Sequence, residues 1–328
     1  MIGRSFRRRF APVATWIIAS LFATNRASAQ DGGLILLLPF GARAVALGEA
    51  VSADSTLGAE SMWWNVAALG RLTHKEVTFH YADTFIAKSG MLSLVVPSNV
   101  IGTIAFGSYI VDYGDQDATD PNGGATVGNI TNRSYMLIAS YGTPVGKRLS
   151  VGVSAKFVML RAACSGACGT IAAYSGQTSA FDAGVQYVLP TQLPITIGGS
   201  VRNIGPALQV KDRPQADPLP KIVQFGAMSR LPIKALTDGG ASLDVSADYV
   251  VASTSIKGAD FGIGATLGYR DQYFLRVGYK QLPGEQSGPS LGFSLQRAGY
   301  GLDFSRRFDR LSSASGTPPT YIALRASF

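Results

Sequence analysis

The chain has 328 residues, 46% hydrophobic and only 15% charged, with 38 glycines and a formal net charge of +8. Five arginines (Arg4, Arg7, Arg8, Arg9 and Arg26) lie within the first 29 residues, which leaves 24 basic and 21 acidic side chains in the remainder. That near-balance lacks the clustered basic surplus of a nucleic-acid binder, so no nucleic acid is expected as a partner.

The first element in chain order is a targeting segment. A basic start is followed by the apolar run "APVATWIIASLFA" and then by the small residues Ala27 to Ala29. This is the pattern of a signal peptide over residues 1–29, with cleavage expected before Gln30. The apolar run is too short for a membrane helix, which needs about 20 residues. Later runs are no longer: "LILLLPF", Leu34 to Phe40, is the longest near the start. No helical membrane span is therefore expected.

From about residue 75 the sequence becomes a series of alternating segments. In "SLDVSADY", Leu243, Val245, Ala247 and Tyr249 share one face, with Asp244, Ser246 and Asp248 on the other. A period of two is the signature of a strand with two chemically different faces. Fourteen such segments are centred roughly on residues 78, 92, 106, 137, 154, 184, 199, 225, 245, 264, 276, 293, 303 and 323. An even count suits a closed antiparallel barrel whose ends lie on one side.

The connections fit that architecture. "PSNV", "TPVGK" and "PTQLP" are short, whereas the intervening stretches from Asp112 to Thr131, around "RAACSGACGTIAAYSGQ", and from Gly205 to Pro220 are long and polar. Short periplasmic turns alternating with longer outer loops characterise outer-membrane barrels. A soluble β-sandwich would also alternate, but here the polar face is rich in glycine and scattered charges, as a lumen would be. The fold class predicted is all-β: a 14-stranded antiparallel transmembrane β-barrel in the bacterial outer membrane. Residues 74–328 would form the barrel and residues 30–73 a plug within the lumen. Lumen-facing charges are expected at Asp244, Asp248, Asp303, Arg276 and Arg325.

Few residues suggest chemistry. The chain holds only two histidines, His74 and His80, both near the first strand, and no catalytic site or cofactor is expected. Asp115, Asp117 and Asp120 lie in an acidic outer stretch that reads as hydrated loop, with no metal site expected and only a weak claim to one. Cys164 and Cys168 are predicted to form a local disulfide, as suits an exported chain.

The segment ahead of the first strand reads "LLLPFGARAVALGEAVSADSTLGAESMWWNVAALGRL". It resembles the start of the PorV/PorQ family, barrels related to the FadL transporters. Pro39, Gly41, Ala42, Arg43, Gly48 and Glu49 match the family's first motifs, and Trp63, Trp64, Asn65, Ala67 and Leu69 match its Trp-Asn-Pro-Ala-Gly-Leu motif. Val66 and Ala68 depart from that motif, in place of proline and glycine. The resemblance implies a plug folded into the lumen, with Gly41 and Gly48 allowing bends and the tryptophans acting as a hinge packed against the wall. Arg43 is expected to pair with Asp244, Asp248 or Asp303.

The resemblance also implies partners. Outer-membrane lipid would surround the barrel, and the C-terminal Phe328, on the apolar face of "YIALRASF", resembles the signal read by the barrel-assembly machinery. PorV-like members assist type IX secretion by collecting secreted cargo proteins through outer loops. FadL-like relatives pass hydrophobic ligands. The expected function is the first, with the second as its alternative.

Overall fold

The computed structural model describes residues 33–120, 124–166, 174–211, 214, 216–253, 259–282, 287–309, 316 and 318–328. The expected signal peptide lies outside these residues, as does Cys168; Cys164 is disulfide-bonded.

Sixteen strands lie among the described residues. They are β1 (Glu76–Asp83), β2 (Lys88–Ser98), β3 (Gly102–Thr119), β4 (Thr126–Val145), β5 (Leu149–Gly166), β6 (Tyr174–Val188) and β7 (Ile195–Ile204), then the short β8 (Leu208–Val210) and β9 (Ala216–Asp217). The chain continues as β10 (Lys221–Leu231), β11 (Ala241–Ser253), β12 (Ala259–Tyr269), β13 (Tyr273–Gln281), β14 (Gly288–Arg297), β15 (Tyr300–Arg307) and β16 (Thr320–Ser327). All but β8 and β9 form the wall. Each pairs antiparallel with its sequence neighbour, β7 pairs with β10, and β1 pairs with β16 from Glu76↔Ser327 to Asp83↔Thr320. The β5–β6 ladder, from Leu149↔Tyr187 to Ala162↔Tyr174, completes the ring. The protein is a closed 14-stranded antiparallel barrel.

Side-chain alternation explains both closure and solvent. On successive strands Phe79, Leu92, Phe106, Leu137, Phe157 and Phe181 point outward and are 41–59% exposed. Their neighbours Thr78, Ser93, Ser140, Ser154, Gln186, Ser200 and Gln224 point inward and are buried. A water-soluble fold would reverse that assignment. An apolar exterior around a polar interior fits hydrocarbon as the outer solvent, and closure leaves no unpaired edge in it.

Two expectations about the connections are corrected. Residues 112–131 are largely strand: β3 and β4 run 18 and 20 residues, β5 and β6 run 18 and 15, and the other wall strands run 8 to 13. The wall therefore rises on one side. A bulge between Asp112 and Asp115 shifts the register there, and beyond it polar side chains occupy both faces, which erases the period-two signal. The stretch from Gly205 to Pro220 likewise contains β8 and β9, which extend the sheet from β6.

Chain direction sets the orientation. The short turns β2–β3, β4–β5, β12–β13 and β14–β15 all lie at the end where Lys75 and Phe328 exchange two backbone hydrogen bonds of 3.0 Å. By the rule of short periplasmic turns, that end faces the periplasm.

Candidate functional site

Residues 33–72 fill the lumen. They fold as short helices, Ala42–Ala46 and Ser61–Trp64, and 3-10 turns, Leu34–Leu36, Gly58–Glu60 and Val66–Arg71. Nearly every side chain from Phe40 to Leu69 is buried. Gly41 (φ 85°) and Gly48 (φ 61°) turn the chain with left-handed backbone, a conformation that costs other residues more. After Asn65, in extended conformation, the chain enters a 3-10 turn whose first residue is Val66. Proline is favoured at that position because its N–H is not needed. Here the Asn65 side chain accepts from Ala67 N–H (3.1 Å) and anchors the turn.

So little regular structure leaves many backbone groups to satisfy inside a membrane protein. The wall supplies the partners. Asp248 Oδ2 accepts from Val51 N–H (3.0 Å) and Ser52 N–H (2.7 Å). Glu76 Oε1 accepts from Ala59 N–H (2.8 Å). Ser150, Ser200, Gln224 and Ser290 donate to the carbonyls of Ala67, Trp64, Glu49 and Ala46. Inward polar residues from strands all round the wall thus serve the plug.

Both tryptophans are buried deep in this interface. Trp63 packs on Phe40 and Tyr109, with ring centroids 5.3 and 5.5 Å away, and Lys156 Nζ lies 5.3 Å from its centroid. The Arg202 guanidinium lies 5.1 Å from the Trp64 ring and donates to the Trp63 carbonyl (3.1 Å). Trp64 Nε1 donates to the Phe40 carbonyl (3.0 Å), tying the two halves of the plug.

Charge pairs occupy the rest of the seam. Arg43 lies 3.8 Å from Asp303 and 3.7 Å from Glu60, and its guanidinium also donates to the Thr56 and Leu57 carbonyls. Of the three carboxylates expected for Arg43, the structure brings it to Asp303. Asp244 instead pairs with Arg230 (2.7 Å), and Asp248 caps the plug backbone. Arg325 binds Asp303 at 2.8 Å, and Arg276 donates to Ser294. Burial pushes the Glu60 carboxyl up to about 7, against the pull of Arg43 and of the Ala44 and Arg43 amides.

Sequence reading missed a second group: Lys280 with Glu49 (3.3 Å) and Asp260 (2.5 Å), and Arg307 with Glu49 (3.0 Å). It also missed the buried Lys156–Asp182 pair at 2.6 Å. Strand parity was the available signal, because each of these wall residues falls on the glycine- and serine-rich face. Pro39 borders the outer cavity, and Ala42, Ala67 and Leu69 are packed among buried residues.

Two cavities flank the filled region. The outer one, about 180 Å³, lies between Leu34, Leu37, Leu38, Phe85, Ile86 and Leu282, with Tyr109 and Tyr321 below. The inner one, about 340 Å³, faces the periplasm and is polar, bordered by Arg43, Arg71, Glu76, Asp244 and Arg276. Phe40 packs on Tyr109 at the outer cavity, and Arg43 borders the inner one.

The site offers no catalytic arrangement among the described residues. Gly288-Pro289-Ser290-Leu291-Gly292 has the spacing of a hydrolase nucleophile motif, yet it lies within β14, not at the strand-to-helix turn that motif requires. Ser290 is occupied by the Ala46 carbonyl. His80 is enclosed against Phe40, 4.7 Å between ring centroids. Asp115 accepts from the Thr131 hydroxyl (2.8 Å), and no group of three His, Cys, Asp or Glu could hold a metal among the described residues.

The toluene transporter TbuX of Ralstonia pickettii superposes with a TM-score of 0.53 at 16% identity, over 88% of this chain and 96% of that one. The fold is that of the FadL-type outer-membrane barrels. The Pseudomonas putida toluene transporter TodX gives 0.55 at 12% identity over 92% and 98%, and a Pseudomonas aeruginosa FadL homologue gives 0.54 at 14% identity over 89% and 98%. No protein-family profile and no curated protein matches the chain, so the PorV/PorQ likeness rests on the motifs alone.

Proposed function

We propose that this protein is an outer-membrane channel that admits small hydrophobic molecules through its plugged lumen. One observation carries the reading: the outer mouth holds a largely apolar cavity of about 180 Å³ formed jointly by plug and wall, with Glu49, Arg307 and Asp309 on its polar side. A dry apolar cavity of about 150 Å³ is enough to bind benzene. The ligand class is therefore a neutral hydrophobe of about one aromatic ring. The names of the structural neighbours, two of them toluene transporters, support the same class. Secretion assistance of the type IX kind is the second choice, since it rests on sequence motifs and no observed cargo surface favours it.

Filling the cavity tests the reading. Leu38 lines it from the plug and Ala87 from the β1–β2 connection. Leu38→Trp and Ala87→Phe are expected to lower uptake of labelled toluene by about tenfold, the effect of about 1.4 kcal/mol of lost binding. Uptake at the wild-type rate in both variants would remove the cavity from the pathway.

A further inference from the structure

We infer that the periplasmic rim of the barrel is a binding surface for anionic phospholipid headgroups of the periplasmic leaflet. The surface is independent of the channel reading. It comprises Lys75, Lys147, Arg148, Lys234, Arg270 and Arg297, all exposed and all in or beside the periplasmic turns. None of the six is in an ion pair among the described residues. Among the described residues, Asp238 and Asp271 are the exposed acidic side chains at this level, Glu76 and Asp244 being buried on the lumen side. The opposite rim has no such surplus among the described residues, carrying Asp112, Asp115, Asp117 and Asp120 on β3 and its continuation.

Three observations point this surface at lipid. Outward-facing aromatic residues mark the same level: Tyr141, Tyr269, Tyr273, Tyr300 and Phe328 are 39–72% exposed. Such belts sit where hydrocarbon meets headgroups. The Arg270 guanidinium stacks 5.1 Å from the outward Tyr269 ring, which holds that cation on the membrane side of the wall. Arg270 also occupies a turn position with φ 51°, followed by Asp271 at φ 52°. A turn with two successive left-handed residues favours asparagine and glycine, so arginine is there despite the backbone. Basic side chains near an anionic bilayer surface are drawn to it. The occupant is therefore a lipid carrying net negative charge, such as phosphatidylglycerol, in preference to a zwitterionic one.

Native mass spectrometry of the full-length protein, exposed to equimolar phosphatidylglycerol and phosphatidylethanolamine, tests this. Phosphatidylglycerol adducts should exceed phosphatidylethanolamine adducts at least about fivefold. The preference should vanish in Lys147→Gln/Lys234→Gln/Arg270→Gln/Arg297→Gln and fall by at least half in Arg270→Gln/Arg297→Gln, a milder change that spares folding. Lys88→Gln/Lys221→Gln at the opposite rim should leave it intact. Equal retention of both lipids, or an undiminished preference in the rim variants, overturns the proposal. So does complete displacement of lipid by excess inorganic phosphate, which would mark a site for soluble anions.

Discussion

Alanine at both Trp63 and Trp64 is expected to open the lumen while leaving the barrel folded. Each substitution deletes a buried indole, worth about 3–5 kcal/mol. Lys156 and Arg202 also lose the aromatic faces beside them, another 0.5–2 kcal/mol or so each. The loss falls on the plug because the wall is closed by its own ladders, which neither tryptophan joins. The Phe40 carbonyl loses the Trp64 donor that ties the plug's outer half to its inner half. Single-channel recording in planar bilayers should show frequent openings in the double variant and a largely closed wild type. Heat-modifiable migration in detergent gels should be unchanged. A silent double variant that retains the barrel would mean that the tryptophans do not hold the plug.

The second large effect is expected at Gly48. A Cβ there would lie 2.5 Å from the Tyr279 carbonyl oxygen and 2.9 Å from that of Ile263. Both are wall backbone, fixed by the β12 and β13 ladders, and neither can give way. The left-handed backbone at φ 61° adds about 1–2 kcal/mol for any other residue. Gly48→Ala should therefore displace the plug and lower the thermal unfolding temperature in detergent by several degrees. Gly146→Ala in the β4–β5 turn provides the contrast, since it shares the positive φ (69°) but its Cβ would meet nothing within 4 Å. A smaller shift is expected there, because only the backbone cost remains. The reverse ranking would place the tight plug–wall approach elsewhere.

These two sites show what the sequence could and could not disclose. Wall strands were legible because lipid outside and water or polar plug inside impose opposite demands on alternate residues. That alternation by itself assigns Asp244, Asp248, Asp303, Arg276 and Arg325 to the lumen face. Above the membrane the demand lapses, so the tops of β3 to β6 read as loop although their ladders continue. The bends at Gly41 and Gly48 could be anticipated from glycine alone. Their closeness to Glu60 and Tyr279 could not, since Gly48 and Tyr279 lie more than 200 positions apart in the chain. Arg43 illustrates the same limit. Three carboxylates were reasonable partners by parity, and only the path of the plug selects Asp303.

The charged seam has a consequence for how such a channel would work. Polar wall groups hold the plug from Arg43 to Ala67, whereas the Leu34 to Leu38 stretch meets the cavity largely through apolar contact. Apolar contact lacks direction and can be exchanged for a ligand of like character. The entry end of the plug is thus the part that a hydrophobe could move at least cost.

Uptake in cells tests the central claim most directly. Labelled toluene should enter a strain lacking the gene several-fold more slowly than a strain carrying it, with the same proteins displayed at the cell surface in both. Equal uptake, together with secreted proteins retained inside the deletion strain, would contradict the channel reading and favour secretion.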